Sequence, residues 1–116
     1  RLPFVLVLGL LAACASTPPS SEGIAVAAAA LAQADTAATR EGAGTELRLA
    51  TNKLQAARDA AGRGDHYRAL RLAEQAEADA HVALIRAQSA RARLAATESQ
   101  ESARVLREEI RRSHQR

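Results

Sequence analysis

A chain of 116 residues has room for one small domain. Alanine fills about a quarter of it, aromatic side chains are limited to Phe4 and Tyr67, and 15 arginines plus Lys53 stand against 13 acids for a formal charge of +3. This composition excludes a core of large side chains and the pockets they line, and with Cys14 as the only cysteine it excludes an internal disulfide.

The first element reads as an address. Residues 2–13, LPFVLVLGLLAA, are apolar throughout, too short to span a bilayer, which takes roughly 20 residues, and the right length for a signal-peptide h-region. Arg1 is all that stands for a basic n-region, and the chain does not begin with methionine; a signal peptide over residues 1–13 that lacks its first few residues would read this way. Leu11, Ala12, Ala13 and Cys14 resemble a bacterial lipobox, in which a branched residue and two small ones let a peptidase grip an extended backbone. The resemblance implies a lipidated Cys14 as the mature N-terminus, followed to residue 21 by a flexible spacer, ASTPPSS, where prolines bar a helix and small polar residues stay hydrated.

Each buried methylene contributes about 0.8 kcal/mol, so two or three acyl chains hold a protein almost permanently. Sorting in such lipoproteins depends on the residue after the cysteine, and Ala15, where an aspartate would retain the protein in the inner membrane, implies the periplasmic face of the outer membrane. Two other readings stand beside this one. Cys14 is a small residue of a kind often buried, and Ala13-Cys14-Ala15 is itself an A-x-A cleavage pattern that would release a soluble periplasmic protein at Ser16.

Residues 22–116 form an alanine-rich helical domain, and the expected fold is an all-α antiparallel three-helix bundle. The first helix is predicted over about 20–40, with Ser20 or Ser21 as N-cap and Ile24, Ala27, Leu31, Ala34 and Ala38 on one stripe. EGAG at 41–44 is predicted to end it, Gly42 taking a positive φ. Thr45 then caps a second helix over about 45–61, with Leu47, Ala50, Leu54, Ala57 and Ala61 as its stripe. GRGD at 62–65 makes a tight reversal, with Gly62 as the stop and Asp65 as the next N-cap.

No glycine or proline follows Gly64, so the third helix is predicted from about 65 to 112. From Ala69 a 4,3,4 spacing of alanines runs through Ala80 and Ala87 to Leu94, then lands on Thr97 and Glu101. A new register at Ser99, Ala103, Leu106 and Ile110 predicts a phase change near 95–101. The shorter helices cover only the proximal part of this rod, so its distal part is predicted to project.

Candidate sites are few. His66, His81 and His114 are scattered, and Glu77 with His81 at i,i+4 gives two ligands, short of a metal site. No nucleophile, base and oxyanion cradle come together in the pattern, and there is no glycine-rich phosphate loop, so neither enzymatic activity nor a cofactor, metal or small-molecule substrate is expected. The distal stretch ESARVLREEIRRSHQR carries the possible partner surface, Arg104, Leu106, Arg107, Ile110 and Arg111, which suits an acidic partner or anionic headgroups. The competing structural reading is a solvated helix end whose cations complement the dipole. Tyr67 is expected to plug the bundle end beside the 62–65 turn.

LATNKLQAARDAAGRGDHYRALRLAEQAEADA at 49–80 and AATESQESARVLREEIRR at 95–112 together resemble the bacterial lipoprotein family known as domain of unknown function 4398. The shared features are an alanine-rich helix, a Gly-Asp turn before an aromatic, an Ala-Leu-Ala repeat and a distal Leu-Arg-Glu-Glu-Ile. The resemblance implies a helical envelope lipoprotein and no assigned activity; some members resemble a fusion of this unit to an OmpA-like peptidoglycan-binding domain.

The expected role is structural or scaffolding, with the membrane met through lipid on Cys14 and an envelope protein, or a second copy in a homo-oligomer, met by helix packing. A non-covalent peptidoglycan tether is the alternative, because Lys53 alone offers little footing for covalent attachment. Nucleic acid is not an expected partner. Intact-mass analysis of the membrane-extracted protein is expected to show acyl chains on Cys14 at the mature N-terminus; an unmodified chain beginning at Ser16 would contradict the address.

Overall fold

A computed structural model describes residues 18–116, and over that span the chain forms α1 (Pro19–Ala34), α2 (Ala37–Gly62) and α3 (His66–His114). The expected all-α three-helix bundle with a long third helix is what the chain adopts; the boundaries at its N-terminal end are not where the sequence put them. Pro18, at φ −54° and ψ 140°, takes the N-cap position of α1 with Pro19 in the first turn, where a missing N–H costs nothing. Ser20, predicted as a cap, is instead buried, and its Oγ lies 2.9 Å from His66 Nδ1 at the start of α3.

The break between α1 and α2 comes at Asp35 and Thr36, not at EGAG. Thr36 is extended, and its Oγ1 accepts a hydrogen bond from the Thr39 amide at 3.1 Å while also sitting 2.9 Å from Thr39 Oγ1. Arg40 Nε donates to Asp35 Oδ1 at 2.7 Å across the corner. Residues 41–44 are absorbed into α2, which bends at Ala43 (φ −150°, ψ 39°) and continues. The expected break within EGAG is therefore present as the kink at Ala43, where two helical segments join, although Gly42 does not take a positive φ; what sequence reasoning missed is the additional, side-chain-capped corner at 35–36.

The second reversal follows the sequence closely. Gly64 takes φ +79°, the Gly64 amide donates to the Ala61 carbonyl and the Asp65 amide to the Ala60 carbonyl, both at 3.0 Å. Those two bonds make a Schellman ending, with Gly64 rather than Gly62 as the left-handed residue. Asp65 then caps α3, its Oδ1 accepting from the Arg68 amide at 3.1 Å.

Contacts between the helices fix an up-down-up arrangement. Ser20 meets His66 near one end, while Ala34 clusters with Ala80, Ala83 and Ala87 further along, so α1 runs parallel to α3 and α2 runs antiparallel to both. Among the described residues 14 apolar ones are buried, of which 12 are alanine and the others are Leu47 and Leu54. A buried methyl contributes about 0.8 kcal/mol against roughly 1.5–3 for a leucine, so the fold rests on helix propensity and close approach rather than on bulk. The approach is close at two glycines: an added Cβ at Gly42 would lie 3.3 Å from Ala87 Cα, and one at Gly23 would lie 2.7 Å from Leu70 Cδ1.

Two interhelical ion pairs hold the register of α2 against α3: Lys53 Nζ lies 2.7 Å from Asp79 Oδ2, and Arg86 pairs with Glu46. Gly44, two residues from Gly42, has nothing within 4 Å of an added Cβ. Chemical denaturation is therefore expected to find Gly44→Ala stabilising by up to about 1 kcal/mol through propensity and Gly42→Leu destabilising by about 1–3 kcal/mol through overpacking. Thr36→Ala is expected to cost about 1 kcal/mol by removing the cap, measured in the same way.

Candidate functional site

Burial along α3 divides the helix in two. Ala69, Ala73, Ala76, Ala80, Ala83 and Ala87 are buried as the seam predicts, Ala90 is half-buried, and Leu94 is 64% exposed. From residue 91 onward no residue is buried, and at 1.5 Å per residue the stretch to His114 reaches roughly 36 Å past the other helices. The predicted projection is present, and it starts a turn earlier than the end of the seam.

The helix is continuous through 95–101, so the expected phase change is not a break in the rod. Ala103, Leu106 and Ile110 each lie 23 residues beyond a seam alanine (Ala80, Ala83 and Ala87), and 23 steps of 100° place them about 140° round the helix from the bundle-facing side. Leu106 is 61% exposed and Ile110 48% exposed. The distal apolar residues therefore face away from the side on which α1 and α2 pack.

The arginines of this segment are largely neutralised within the helix. Arg104 grips Glu101 with two bonds, Nη2 to Oε1 at 2.6 Å and Nε to Oε2 at 3.0 Å. Arg112 reaches Glu108 at 3.3 Å and Glu109 at 3.4 Å, and Arg111 approaches Glu108 at 4.0 Å. Among the described residues, Arg107 has no carboxylate in ion-pair range. The hydrogen bonds from Arg104 hold the Glu101 carboxyl below the ordinary glutamate value and raise the Arg104 guanidinium above its own. What the stretch offers a partner is an aliphatic strip edged by ion pairs, not an open positive patch.

The other candidates resolve as structure. His81 Nε2 lies 3.7 Å from Glu77 Oε1 on an exposed surface. No group of three or more metal-ligating side chains occurs among the described residues, and none of the described helices is long and apolar enough to cross a membrane. Tyr67 does not plug the bundle end: it is 76% exposed, with the Arg71 guanidinium 5.5 Å from its ring centre. Two residues separate it from buried Ala69, about 200° of turn, which points it outward. Leu11, Ala12, Ala13 and Cys14 lie outside the described residues.

Sequence reasoning missed the Ser20–His66 bond and the two interhelical ion pairs. Lys53, as the lone lysine on a half-buried flank of α2, is the signal that could have raised the question of a partner.

The chain matches the family described as Domain of unknown function (DUF4398) over residues 22–109, from the first turns of α1 to near the tip of α3. The protein belongs to the DUF4398 family. No curated protein and no solved structure matches the chain. Because the match reaches residue 109, the DUF4398 unit includes most of the projecting segment as well as the bundle.

The Glu101–Arg104 pair makes the projecting helix sensitive to acid. A carboxyl whose folded value is depressed stabilises the helix fully above its ordinary value, here 4.5, and loses that contribution as pH falls through the lower folded value. Carbon chemical shifts at residues 98–106 are expected to report full helix at pH 7 and a decline below pH 4.5, with Glu101→Gln flattening the part due to this pair.

Proposed function

We propose that this DUF4398 protein is an outer-membrane lipoprotein, anchored through acylated Cys14 on the periplasmic face, whose work is structural: it holds envelope components together by helix packing and catalyses nothing. The observation that carries this reading is the bare distal half of α3, in which Leu106 and Ile110 stay exposed on a helix that its own bundle does not cover. Exposed aliphatic residues at helical spacing suit a partner groove or a second helix.

The helix directions fit the proposed anchor. With lipid attached just before α1, the parallel course of α1 and α3 sends the distal end of α3 away from the membrane. At 49 residues, α3 is about 73 Å long, enough to carry a contact surface well into the periplasm. Arg104, Leu106, Arg107, Ile110 and Arg111 form the contact surface, Leu106 and Ile110 supplying apolar area that is edged by ion-paired Arg104 and Arg111 and by Arg107, unpaired among the described residues. Lys53, tied to Asp79, is poorly placed to serve as a point of covalent attachment to the cell wall.

Photo-crosslinking groups placed at residues 106 and 110 in the native envelope are expected to capture protein several-fold more efficiently than groups at exposed Glu22 or Arg58. Leu106→Glu together with Ile110→Glu is expected to abolish that capture while leaving the protein membrane-bound. Equal capture at all four positions would overturn the assignment of the contact surface.

A further inference from the structure

The apolar register that ends at Ile110 does not begin at Ser99. Stepping back from it by alternate threes and fours gives Ala96, Ala92, Ser89, Ile85, Val82 and Ala78 without meeting a charged residue. Apart from half-buried Ala103, every one of these positions from Ala78 to Ile110 is exposed. This is an uninterrupted heptad seam, independent of the alanine seam and on the opposite side of the same helix. It is more than a strip of small residues, because Val82 and Ile85 at one end and Leu106 and Ile110 at the other carry large side chains that are 41–61% exposed.

We infer that a second copy of this chain docks along this outer seam, the two α3 helices running parallel and in register. The inference rests on the scaffolding reading above and names its partner. Register follows from where the large residues stand. With no offset, Val82, Ile85, Leu106 and Ile110 each meet their own counterpart, and the serines and alanines between them allow close approach. An offset of one heptad sets Val82 and Ile85 of one chain against Ser89 and Ala92 of the other and leaves Leu106 and Ile110 facing Ser99 and Ala103.

Direction follows from the flanking charges. One flank of the seam carries Arg93 and Arg107, together with Asp79 and Arg86, which α2 already engages through Lys53 and Glu46; the other carries His81, Gln88, Ser102 and Glu109. A parallel pair sets Arg93 and Arg107 of each chain against the neutral Gln88 and Ser102 of its mate, whereas an antiparallel pair sets Arg93 against its own counterpart or, one heptad along, Arg86 against Arg107. α2 reaches one flank through Asp79 and Arg86, but the seam residues beside them, Ala78, Val82 and Ile85, stay exposed.

The area is enough for a specific but weak contact. Ala78 to Ile110 is about 48 Å of helix; at roughly 10 Å across, this gives about 500 Å² per chain and about 1,000 Å² for the pair, the lower limit for a specific interface. Anchoring every copy in one membrane would both raise its local concentration and impose the parallel direction.

Oxidative crosslinking of the full chain in bacterial membranes tests this, with the parent protein, whose only thiol is Cys14, as background. Ser99→Cys and Leu106→Cys, both on the seam, are expected to give disulfide-linked dimer at least fivefold above Arg104→Cys, which is exposed but off the seam. Adding Ile110→Glu to the Ser99→Cys protein is expected to remove most of that dimer with helix content unchanged. Dimer yield at residues 99 and 106 no higher than at 104 overturns the inference, as does capture of a different protein at the seam. A mixed disulfide between Ile85→Cys and Ile110→Cys copies that exceeds the same-site disulfides overturns the parallel direction and with it the proposal. Fractionating the same samples separates the two readings: membrane-bound monomer removes the paired seam and keeps the anchored scaffold, while seam-linked dimer in the soluble fraction does the reverse.

Discussion

The approach of α2 to α3 across single methyl groups constrains everything else in the molecule, because a core of 12 alanines and two leucines has no bulk with which to fill a gap. Dispersion between packed atoms falls off within an ångström, so the helices must lie close along their whole shared length or gain little from lying together. Gly42 facing Ala87 Cα is where this demand is most severe. The flanking pairs Lys53–Asp79 and Glu46–Arg86 then act as register marks, since a small-residue seam by itself discriminates weakly between neighbouring offsets. The chain turns back through two bends, the capped corner at Asp35 and Thr36 and the kink at Ala43, so that α2 beyond the kink runs antiparallel to α1.

From that constraint comes the unequal length of the helices and what it leaves bare. The bundle ends where α2 begins, and α3 runs on because nothing in its sequence stops it: Arg–Glu pairs at three and four residues hold its distal half as a single helix. A rod covered at one end and bare at the other is suited to reaching. The same helix carries a small-residue seam for its own bundle and, on the opposite side, a seam with large residues at its two ends. Internal and external packing therefore do not compete for one surface.

Much of this was legible in the sequence, and the errors have physical causes. The alanine periodicity, the turn at Gly64 and Asp65 and the length of α3 are local signals that tertiary context reinforces. The bend within EGAG was legible and appears as the kink at Ala43; the earlier corner at Asp35 and Thr36 was missed because the Thr36 side chain, which satisfies an otherwise orphaned amide, was not weighed as a cap. Tyr67 was expected to plug the bundle end, when its phase relative to Ala69 already turned it outward. The distal register was read as a phase change because the inner seam was followed to its failure at Thr97; following the outer one backward to Ala78 shows two faces of one helix. The ion pairs between helices were not legible, since they depend on which residues the packing brings opposite each other.

The central claim is that α3 is divided near residue 90 into a half held by the bundle and a half that stands free until a partner covers it. Amide hydrogen exchange along α3 in dilute full-length protein tests this most directly. Slow exchange is expected at residues 69–87, approaching the rate set by global unfolding, and exchange at least a hundredfold faster at 94–112. Uniform slow exchange to residue 112 in the isolated monomer would contradict the division, and fast exchange throughout α3 would contradict the alanine seam on which it depends.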